Sequence, residues 1–371
     1  MRWSLLVALS VGLCVWSMVD AQPLDPARFP SLLSSLHVPT PLQFCGEPTP
    51  LDMQEVRERL EKELLLSLWN RPQVLLWLKR SRRYLPEIER LLQANGMPDD
   101  LKYLAVAESA LLPHAGSSKG AVGFWQFTPY TARKYGLTVD HYRDERRNLF
   151  ASTQAAIRYL RDLYELFNSW TLAAAAYNMG EDGLMGEILE QGTMAYYHLY
   201  LPLETQRYVF RILTVKMVLS DPQRYGFHLV DADYYPPVRT DLVQFESPPD
   251  TPIRLVAEAA QTSFKVIKDL NPELRGYHLA EGTHQIFVPQ GASSRFVERF
   301  LVLAQQWRSA RQEQRYVVQR GDSLSSIAAQ FNVPLRALLL WNRLHAKTTI
   351  HPGDELFVYP RSLKPDHNPD R

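Results

Sequence analysis

The sequence is poor in cysteine and has almost no net charge, and each shortage excludes classes of protein. Its 371 residues include two cysteines, Cys14 and Cys45, which do not have the spacing of zinc ligands. The formal net charge is +1, so the chain lacks the basic excess that contacts with nucleic-acid phosphates require. We therefore expect no metal, no cofactor and no nucleic-acid partner, and the sequence gives no sign of an obligate protein partner.

Long hydrophobic runs are also absent beyond the N-terminus. Arg2 precedes an apolar run from Leu5 to Val19, and small residues follow up to Ala21. This pattern predicts a signal peptide over residues 1–21. An uncleaved membrane anchor is the alternative, but the apolar run is short for a span of about 20 residues, which favours the signal peptide. Leu13 stands where a lipoprotein signal has a small residue, which argues against lipidation of Cys14. Once the signal peptide is removed, Cys45 has no partner for an intramolecular disulfide, and we expect it to be a small buried residue.

The rest of the chain divides by its periodicity. Residues 22–96 begin irregularly and continue as two or three amphipathic helices, with Pro72 and Pro86 expected in first turns. Residues 97–228 are predicted to be helices joined by short loops. The predicted fold class is therefore mostly α, with a helical domain followed by small βααβ modules.

The C-terminal part contains a repeat. Residues 316–360 align with 245–289 at a constant offset of 71 without a gap, and Asn342 matches Asn271. Each copy predicts a strand, two helices and a strand, with Ser323 capping the first helix of the second copy. An amphipathic helix is predicted in the linker 290–314, with Phe296, Phe300, Leu303 and Trp307 on one face. The tail 361–371 is polar, and we expect it to be disordered.

Glu108 is the most informative single residue. The stretch from Asp99 to Leu112 has a helix start signal at Pro98 and a stop at Pro113. Leu101, Leu104, Ala105 and Leu112 share the face that carries Glu108. A carboxylate on such a face must be paired or protonated, and a raised pKa suits a general acid. The alternative is an ordinary surface or ion-paired glutamate.

Two later segments bring aromatic and amide groups. Gly116, Gly120 and Gly123 indicate a loop in which backbone can approach a ligand closely. Phe124, Trp125 and Phe127 offer apolar faces that suit sugar rings, although Trp125 is equally compatible with the core. Tyr177 and Asn178 end an alanine-rich helix, where Asn178 has the alternative role of a helix C-terminal residue.

In this order the motifs resemble the soluble-lytic-transglycosylase (SLT) domain, which has the goose-type lysozyme fold. They are Glu108-Ser109, Gly123-Phe124-Trp125-Gln126, Ala176-Tyr177-Asn178 and a helix with Tyr208. Many SLT domains have Leu-Met where this chain has Phe124-Trp125, a departure that bears on subtype. The resemblance implies Glu108 as the catalytic residue. It also implies a set of substrate-binding residues: Ser109, Ser118, Gln126, Tyr177, Asn178 and Tyr208. By spacing alone, Tyr208 is equally compatible with the core.

The family implies an unusual reaction. A typical glycosidase uses two carboxylates, and Asp144, Glu145, Glu181 and Asp182 are the candidates by residue type. None of these lies in a segment that the sequence marks as facing a cleft. The resemblance implies instead that one glutamate cleaves the β-1,4 MurNAc–GlcNAc bond of peptidoglycan without water and forms 1,6-anhydro-MurNAc. A lysozyme-type hydrolase and a non-catalytic peptidoglycan-binding scaffold are the alternatives.

The second repeat copy resembles the LysM module, which binds N-acetylglucosamine-containing glycans. The resemblance implies sugar contacts by seven residues in two loops: Gly321, Asp322, Ser323, Leu324, Thr349, Ile350 and His351. The first copy has Asp250-Thr251-Pro252 at the corresponding turn, so we interpret it as a degenerate LysM-like unit or a spacer. Together the two resemblances imply an exported protein of the periplasm or cell envelope. Peripheral association with the outer membrane is left open.

Overall fold

The computed structural model describes residues 36, 38–313 and 315–359. The predicted signal peptide and the predicted disordered tail lie outside these residues. As predicted, the described chain is mostly α, with small sheets. The helices are α1 (Gln54–Trp69), α2 (Arg71–Ala94), α3 (Lys102–Ser109), α4 (Pro129–Lys134), α5 (Leu149–Phe167), α6 (Trp170–Met179), α7 (Glu181–Gln191), α8 (Leu203–Ser220), α9 (Ile253–Ala259), α10 (Phe264–Leu270), α11 (Phe296–Glu313), α12 (Leu324–Gln330) and α13 (Leu335–Asn342). The strands are β1 (Gln43–Phe44), β2 (Glu47–Pro48), β3 (Thr240–Ser247), β4 (Thr251–Pro252), β5 (His278–Leu279), β6 (Gly282–Pro289), β7 (Arg315–Val317) and β8 (Glu355–Phe357).

The chain forms two compact units. The first takes the described residues up to Arg80 together with Leu166–Tyr234, and the second takes Ser81–Glu165 and the described residues from Tyr235 onward. The division falls within α2 and α5. The predicted domain boundaries follow motifs rather than compactness, and they stay predictions. Within the described ranges, no helix is both long and apolar enough to cross a bilayer.

In the first unit, α8 packs against α1 and α6. Leu60 and Leu64 of α1 are completely buried, as the helical spacing predicts. Glu63 is buried on the same helix, where the guanidinium of Arg207 from α8 pairs with its carboxylate. An ion pair therefore links these two packed helices.

A hairpin of β1 and β2 contacts the N-terminus of α6. Its turn contains Cys45 and Gly46 at positive φ, 51° and 84°. Cys45 is not in a disulfide, and the residue is half-buried rather than buried as expected, because the turn places it at the edge of the core. After this turn, Glu47 accepts hydrogen bonds from Thr171 N (3.0 Å) and Thr171 Oγ1 (2.6 Å) at the N-terminus of α6. A carboxylate at this position stabilises the helix dipole.

Two helix predictions need correction. The region of Pro72 and Pro86 forms one helix, α2, and Pro86 lies in its interior rather than in a first turn. The helix with Glu108 is shorter than expected. It follows a 3₁₀ turn over Asp99–Leu101 and ends at Ser109 rather than near Leu112, because Ala110 adopts the left-handed conformation.

The second repeat copy has the predicted β-α-α-β order, and the first copy adds the short paired strands β4 and β5 inside its outer strands. In the first copy, β3 and β6 pair antiparallel over their full length, from Thr240 with Pro289 to Ser247 with Gly282. In the second copy, β7 pairs with β8 in the same sense. Ser323 caps α12 by accepting from Ser326 N at 3.0 Å, as predicted.

One asparagine makes equivalent hydrogen bonds in both copies. Asn271 donates to Phe287 O and accepts from Phe287 N, both at 2.7 Å. Asn342 donates to Phe357 O at 2.8 Å and accepts from Phe357 N at 2.6 Å. Equivalent residues are thus 71 apart at the asparagines but 70 apart in the last strand. The ungapped alignment is therefore wrong by one residue there. Both strands contain three consecutive apolar residues, 286–288 and 356–358, so a shift of one residue still aligns apolar with apolar residues.

The helix predicted between the copies belongs to the core of the first copy. Phe296, Phe300 and Trp307 of α11 are buried in that core, and the ring of Phe300 lies 4.3 Å from the ring of Phe245. Leu303 packs against the same cluster, so the predicted apolar face is confirmed. The second copy has a separate core of its own.

Candidate active site

Glu108 lies in the last turn of α3. Leu101, Leu104 and Ala105 on its face are completely buried, while Glu108 itself is half-buried. Leu112 is 40% exposed, because the helix ends before it and the predicted stripe stops there. Glu108 therefore sits where the buried face meets the surface.

Ser109 connects this helix to the loop that follows. Its side-chain oxygen lies 3.0 Å from Ala105 O and 2.8 Å from Phe124 O. The serine is buried, so these carbonyls are the acceptors that its hydroxyl needs. The contact fixes the loop against the helix one residue after Glu108. Ser109 stays a predicted substrate-binding residue, and the observed contacts suit a positioning role.

The aromatic residues of the loop point into the core. Phe124, Trp125 and Phe127 are at most 2% exposed, and Trp125 Nε1 donates to Thr153 Oγ1 at 3.0 Å. The edge of the Tyr84 ring packs against Phe124 at 5.1 Å. The expectation that these rings present faces to a sugar is therefore wrong, and the core alternative is right for Trp125. They anchor the loop instead.

Gly123 makes the close approach that the loop's glycines predicted, but to protein backbone and not to a ligand. Its φ is +90°, and a Cβ at this position would lie 1.8 Å from the carbonyl oxygen of Arg146. By contrast, a Cβ on Gly120 would have open space around it. Only glycine therefore allows the loop to cross the Arg146 backbone at residue 123.

Arg146 also holds the loop through its side chain. Its Nη1 donates to Gly120 O (3.0 Å) and Phe127 O (3.1 Å), at the two ends of the glycine-aromatic segment. Its Nε and Nη2 donate to the two carboxylate oxygens of Asp144 at 2.8 and 2.9 Å. Burial alone raises the pKa of Asp144, but the hydrogen bonds and charge of Arg146, with the charge of Arg147, outweigh it and hold the pKa below its ordinary range. Sequence reasoning missed Arg146, because a charged run usually lies in solvent.

These contacts bear on the search for a second carboxylate. Asp144 is 2% exposed and is committed to Arg146. Glu145 accepts from Thr138 N at 2.8 Å and lies 3.4 Å from Arg143, which makes it a brace of the neighbouring turn. Glu181 and Asp182 belong to the first unit, in the first turn of α7. The two candidates in the unit of Glu108 therefore have structural roles.

Gln126 and Ser118 lie on the same loop. Gln126 has a positive φ of 49°, and its side-chain Nε2 lies 2.9 Å from Gly123 O and 3.1 Å from Ala115 O. Its side chain is thus held by the loop backbone and is half-buried. Ser118 is exposed near the tip of the loop. Within the second unit, the structure therefore joins Glu108, Ser109 and the Gln126 segment through the contact between α3 and the loop.

The other predicted substrate-binding residues belong to the first unit. Tyr177 and Asn178 lie in the last turns of α6 and are half-buried, while Tyr208 of α8 is 2% exposed. Asn178 Oδ1 accepts from Thr205 Oγ1 of α8 at 2.9 Å. Asn178 is thus more than the end of a helix, because it also contacts a second helix. Sequence reasoning missed its partner Thr205.

The predicted sugar-binding residues of the second repeat copy form two tight turns. Gly321 has a φ of +98°, and Leu324 is 8% exposed. Hydrogen bonds from Gln319 N and the Tyr316 hydroxyl, both at 2.7 Å, hold the pKa of Asp322 below its ordinary range. Asp322 thus braces its own turn. In the second loop, Thr349 and His351 are exposed and Ile350 is half-buried.

Comparison with known families matches both parts of this arrangement. The transglycosylase SLT domain matches residues 86–199, and the LysM domain matches residues 316–358. Among the described residues, no group of three or more His, Cys, Asp or Glu side chains could hold a metal ion.

Two relatives agree with these matches, one for the SLT domain and one for most of the chain. Peptidoglycan transglycosylase gp16 of Escherichia phage T7 is 39% identical over 105 residues, which cover 28% of this chain and 8% of that protein. A solved structure, the lytic transglycosylase Slt of Pseudomonas aeruginosa, is 21% identical and covers 36% of this chain and 23% of its own, with a TM-score of 0.31 that is too low to support a conclusion. Membrane-bound lytic murein transglycosylase D of Escherichia coli strain K12 is 30% identical over 329 residues, covering 85% of this chain and 72% of that protein. With an SLT domain followed by a LysM domain and this similarity over most of both chains, the chain belongs to the family of membrane-bound lytic murein transglycosylase D.

Proposed function

We propose that this protein is a peptidoglycan lytic transglycosylase in which Glu108 is the only catalytic acid and base. Family membership supports the reaction class. The observation that carries the assignment of the residue is the contrast between Glu108 and the other two candidate carboxylates of the second unit. Asp144 is buried with Arg146 and Glu145 braces a turn, while Glu108 is partly accessible at the end of the buried face of α3.

In the proposed reaction, Glu108 acts twice. The protonated carboxyl donates its proton to the glycosidic oxygen, and the bond from this oxygen to C1 of MurNAc breaks. The resulting carboxylate then accepts the proton of the MurNAc C6 hydroxyl, whose oxygen forms the new bond to C1. The products are 1,6-anhydro-MurNAc and a GlcNAc end with a free 4-hydroxyl, and no water is consumed. One residue can act in both steps if its pKa lies near the working pH, and the intramolecular nucleophile has a high effective concentration.

The loop 116–127 supports this role by position. The Ser109 side chain contacts Phe124 O and joins the loop to α3. Arg146 donates to Gly120 O and Phe127 O within the loop, and together these contacts hold Gln126 close to the end of the helix. A catalytic group needs neighbours that do not move, because small displacements lower the rate strongly. We propose that Gln126 and Ser118 position the glycan strand beside Glu108. Tyr177, Asn178 and Tyr208 of the first unit stay predicted substrate-binding residues.

The test is mass spectrometry of purified peptidoglycan after digestion by the protein. We expect products that end in 1,6-anhydro-MurNAc. Products with only reducing MurNAc ends would mean a hydrolase of lysozyme type. Absence of products from folded protein would mean a non-catalytic scaffold.

The LysM domain supplies a second binding site for peptidoglycan. We propose that it retains the protein on the cell wall, where tethering raises the local concentration of cleavable bonds. Because its core is separate from that of the first copy, removal of the chain from residue 315 onward leaves the first core intact. We expect this truncation to weaken retention on insoluble peptidoglycan and to spare cleavage of short soluble glycans.

We further propose that the protein works at the cell envelope, as a periplasmic enzyme that is peripherally associated with the outer membrane. Family membership supports an envelope location, and the predicted signal peptide is consistent with it. Fractionation of cells that express the full chain tests the membrane association.

A further inference from the structure

A cleft of about 1140 Å³ lies within the second unit, between the first repeat copy with its helix α11 and the LysM domain. The LysM turn Gly321–Leu324, which is predicted to bind sugar, does not line it. The cleft does reach Thr349 and Ile350 of the other predicted sugar-binding loop. It is therefore a separate concavity that continues from that loop toward the first copy.

The rim of the cleft is held by residues from three segments. Arg343, which follows α13, pairs with Asp250 of the first copy. The Nη1 of Arg343 donates to the hydroxyl of Tyr142 at 2.6 Å, and that hydroxyl donates to Asp250 Oδ1 at 3.2 Å. The Arg343 guanidinium also lies 5.0 Å from the centre of the Tyr142 ring. These contacts join the two repeat copies, so the cleft exists before any ligand arrives.

Aromatic rings line both walls. On the side of the first copy, the rings of Phe264 and Tyr277 stack at 5.7 Å with an angle of 20°, and Tyr277 is 49% exposed. On the LysM side, the ring of Trp341 packs at 5.1 Å against Tyr359. Trp307 of α11 borders the cleft from the core of the first copy and is only 7% exposed. Half-exposed rings in a concave site suit ligands with flat apolar faces, such as pyranose rings.

The charged groups that line the cleft are largely matched within the protein. Two ion pairs lie within the lining, Asp250 with Arg343 and Arg254 with Glu258. A fifth charged lining residue, Glu355, pairs with Arg315 outside the lining. Asp354 accepts from His351 N at 2.7 Å. A strongly charged ligand would have to displace these partners. An uncharged ligand with hydroxyl and amide groups needs only hydrogen bonds, which Gln306 and Thr348 in the lining can provide.

We propose that this cleft binds an uncharged N-acetylhexosamine segment of the glycan strand, between the first repeat copy and the LysM domain. The choice of glycan as ligand class rests on the proposed function. The first copy has lost the turn that a LysM module uses, yet here it supplies one wall of a shared site. The two copies then act together on one strand, and the first copy is more than a spacer.

Calorimetric titration of the full chain with the tetrasaccharide of β-1,4-linked GlcNAc tests the proposal. We expect Tyr277→Ala to raise the dissociation constant by about threefold to tenfold, the usual range for one aromatic contact. Tyr277→Phe keeps the ring, so we expect it to bind within twofold of the parent. The matched control is Tyr130→Ala, which removes a 77% exposed tyrosine of the same unit that does not line the cleft. Thermal unfolding of each variant confirms that the fold is kept.

The outcomes separate this proposal from the proposed function. If Tyr277→Ala binds the tetrasaccharide as tightly as the parent does, or if the parent does not bind it at all, the cleft is not a glycan site and the inference is wrong. The products of peptidoglycan digestion are measured on the same samples. If the parent protein forms no anhydro products, only the catalytic proposal is refuted. A specific effect of Tyr277→Ala on binding would still support the cleft as a glycan site.

Discussion

Replacement of Arg146 by methionine should release the loop that lies beside Glu108. The arginine side chain is 7% exposed and the Asp144 side chain 3%, so their ion pair is shielded from water. Arg146→Met keeps much of the buried volume but leaves the Asp144 carboxylate without its main partner. It also removes the donor that reaches Gly120 O and Phe127 O.

The expected cost follows from this burial. Removal of one partner of a buried ion pair destabilises a protein by about 3–5 kcal/mol, since an uncompensated charge is left behind. For comparison, Arg295 pairs with Glu298 through side chains that are 72% and 60% exposed. Water screens such a surface pair, so Arg295→Ala should leave stability nearly unchanged and serves as the control.

Hydrogen exchange measures the effect where it should occur. Val122 N donates to Phe127 O at 3.1 Å and Gly123 N to Ala115 O at 2.9 Å, so both amides report opening of the loop. If the whole cost falls on local opening, Arg146→Met accelerates their exchange by about a hundredfold to several thousandfold, at 1.4 kcal/mol per factor of ten. The double variant with Asp144→Asn should lose less than the sum of the single changes, because it no longer buries an unpaired charge. Unchanged exchange at both amides, or strictly additive effects, would refute the role assigned to Arg146.

Three further predictions concern the same site. Glu108→Gln should lower the rate of peptidoglycan cleavage by about a hundredfold or more, as expected for a lost acid–base group, with little change in thermal unfolding; activity within a few-fold of the parent would mean that another residue is catalytic. Gly123→Ala should destabilise the folded loop strongly, because its Cβ would collide with Arg146 O. Gly120→Ala is also at positive φ but has open space around it, so it should cost only about 1 kcal/mol. Equal urea midpoints for the two variants would contradict this prediction. The pKa of Asp144 is lowered in the folded state. Its contribution to stability is therefore complete above its ordinary pKa, about 3.9, and is lost as the pH falls through the lower folded value. Urea midpoints measured from pH 7 to pH 3 should fall less steeply in Asp144→Asn than in the parent.

Much of the architecture could be predicted from local pattern. The helical periodicity gave the mostly α class, and the apolar face of α11 is buried as predicted. Ser323 caps its helix because a serine before an apolar run satisfies the first backbone amides. Such features depend on residues a few positions apart, so a single sequence contains the information.

Other features depended on contacts between distant segments. The end of α3 at Ser109 is set by Ala110 in the left-handed conformation, where the chain turns toward the loop, and not by Pro113. Composition could not separate Phe124 and Trp125 as core residues from the same side chains as a sugar platform. Their burial depends on what packs around them, including the Tyr84 ring and Thr153.

The sequence by itself determined the order of the motifs, the position of Glu108 in its helix and the existence of two related βααβ copies. Tertiary structure alone decided which charged residues are structural. Asp144 and Arg146 lie in a run of charged residues that local pattern assigns to solvent, yet the folded chain buries them because Gly120 O and Phe127 O converge on the guanidinium. The cleft between the repeat copies also exists only in the folded chain, since Tyr142, Asp250 and Arg343 are far apart in sequence and meet through long-range packing.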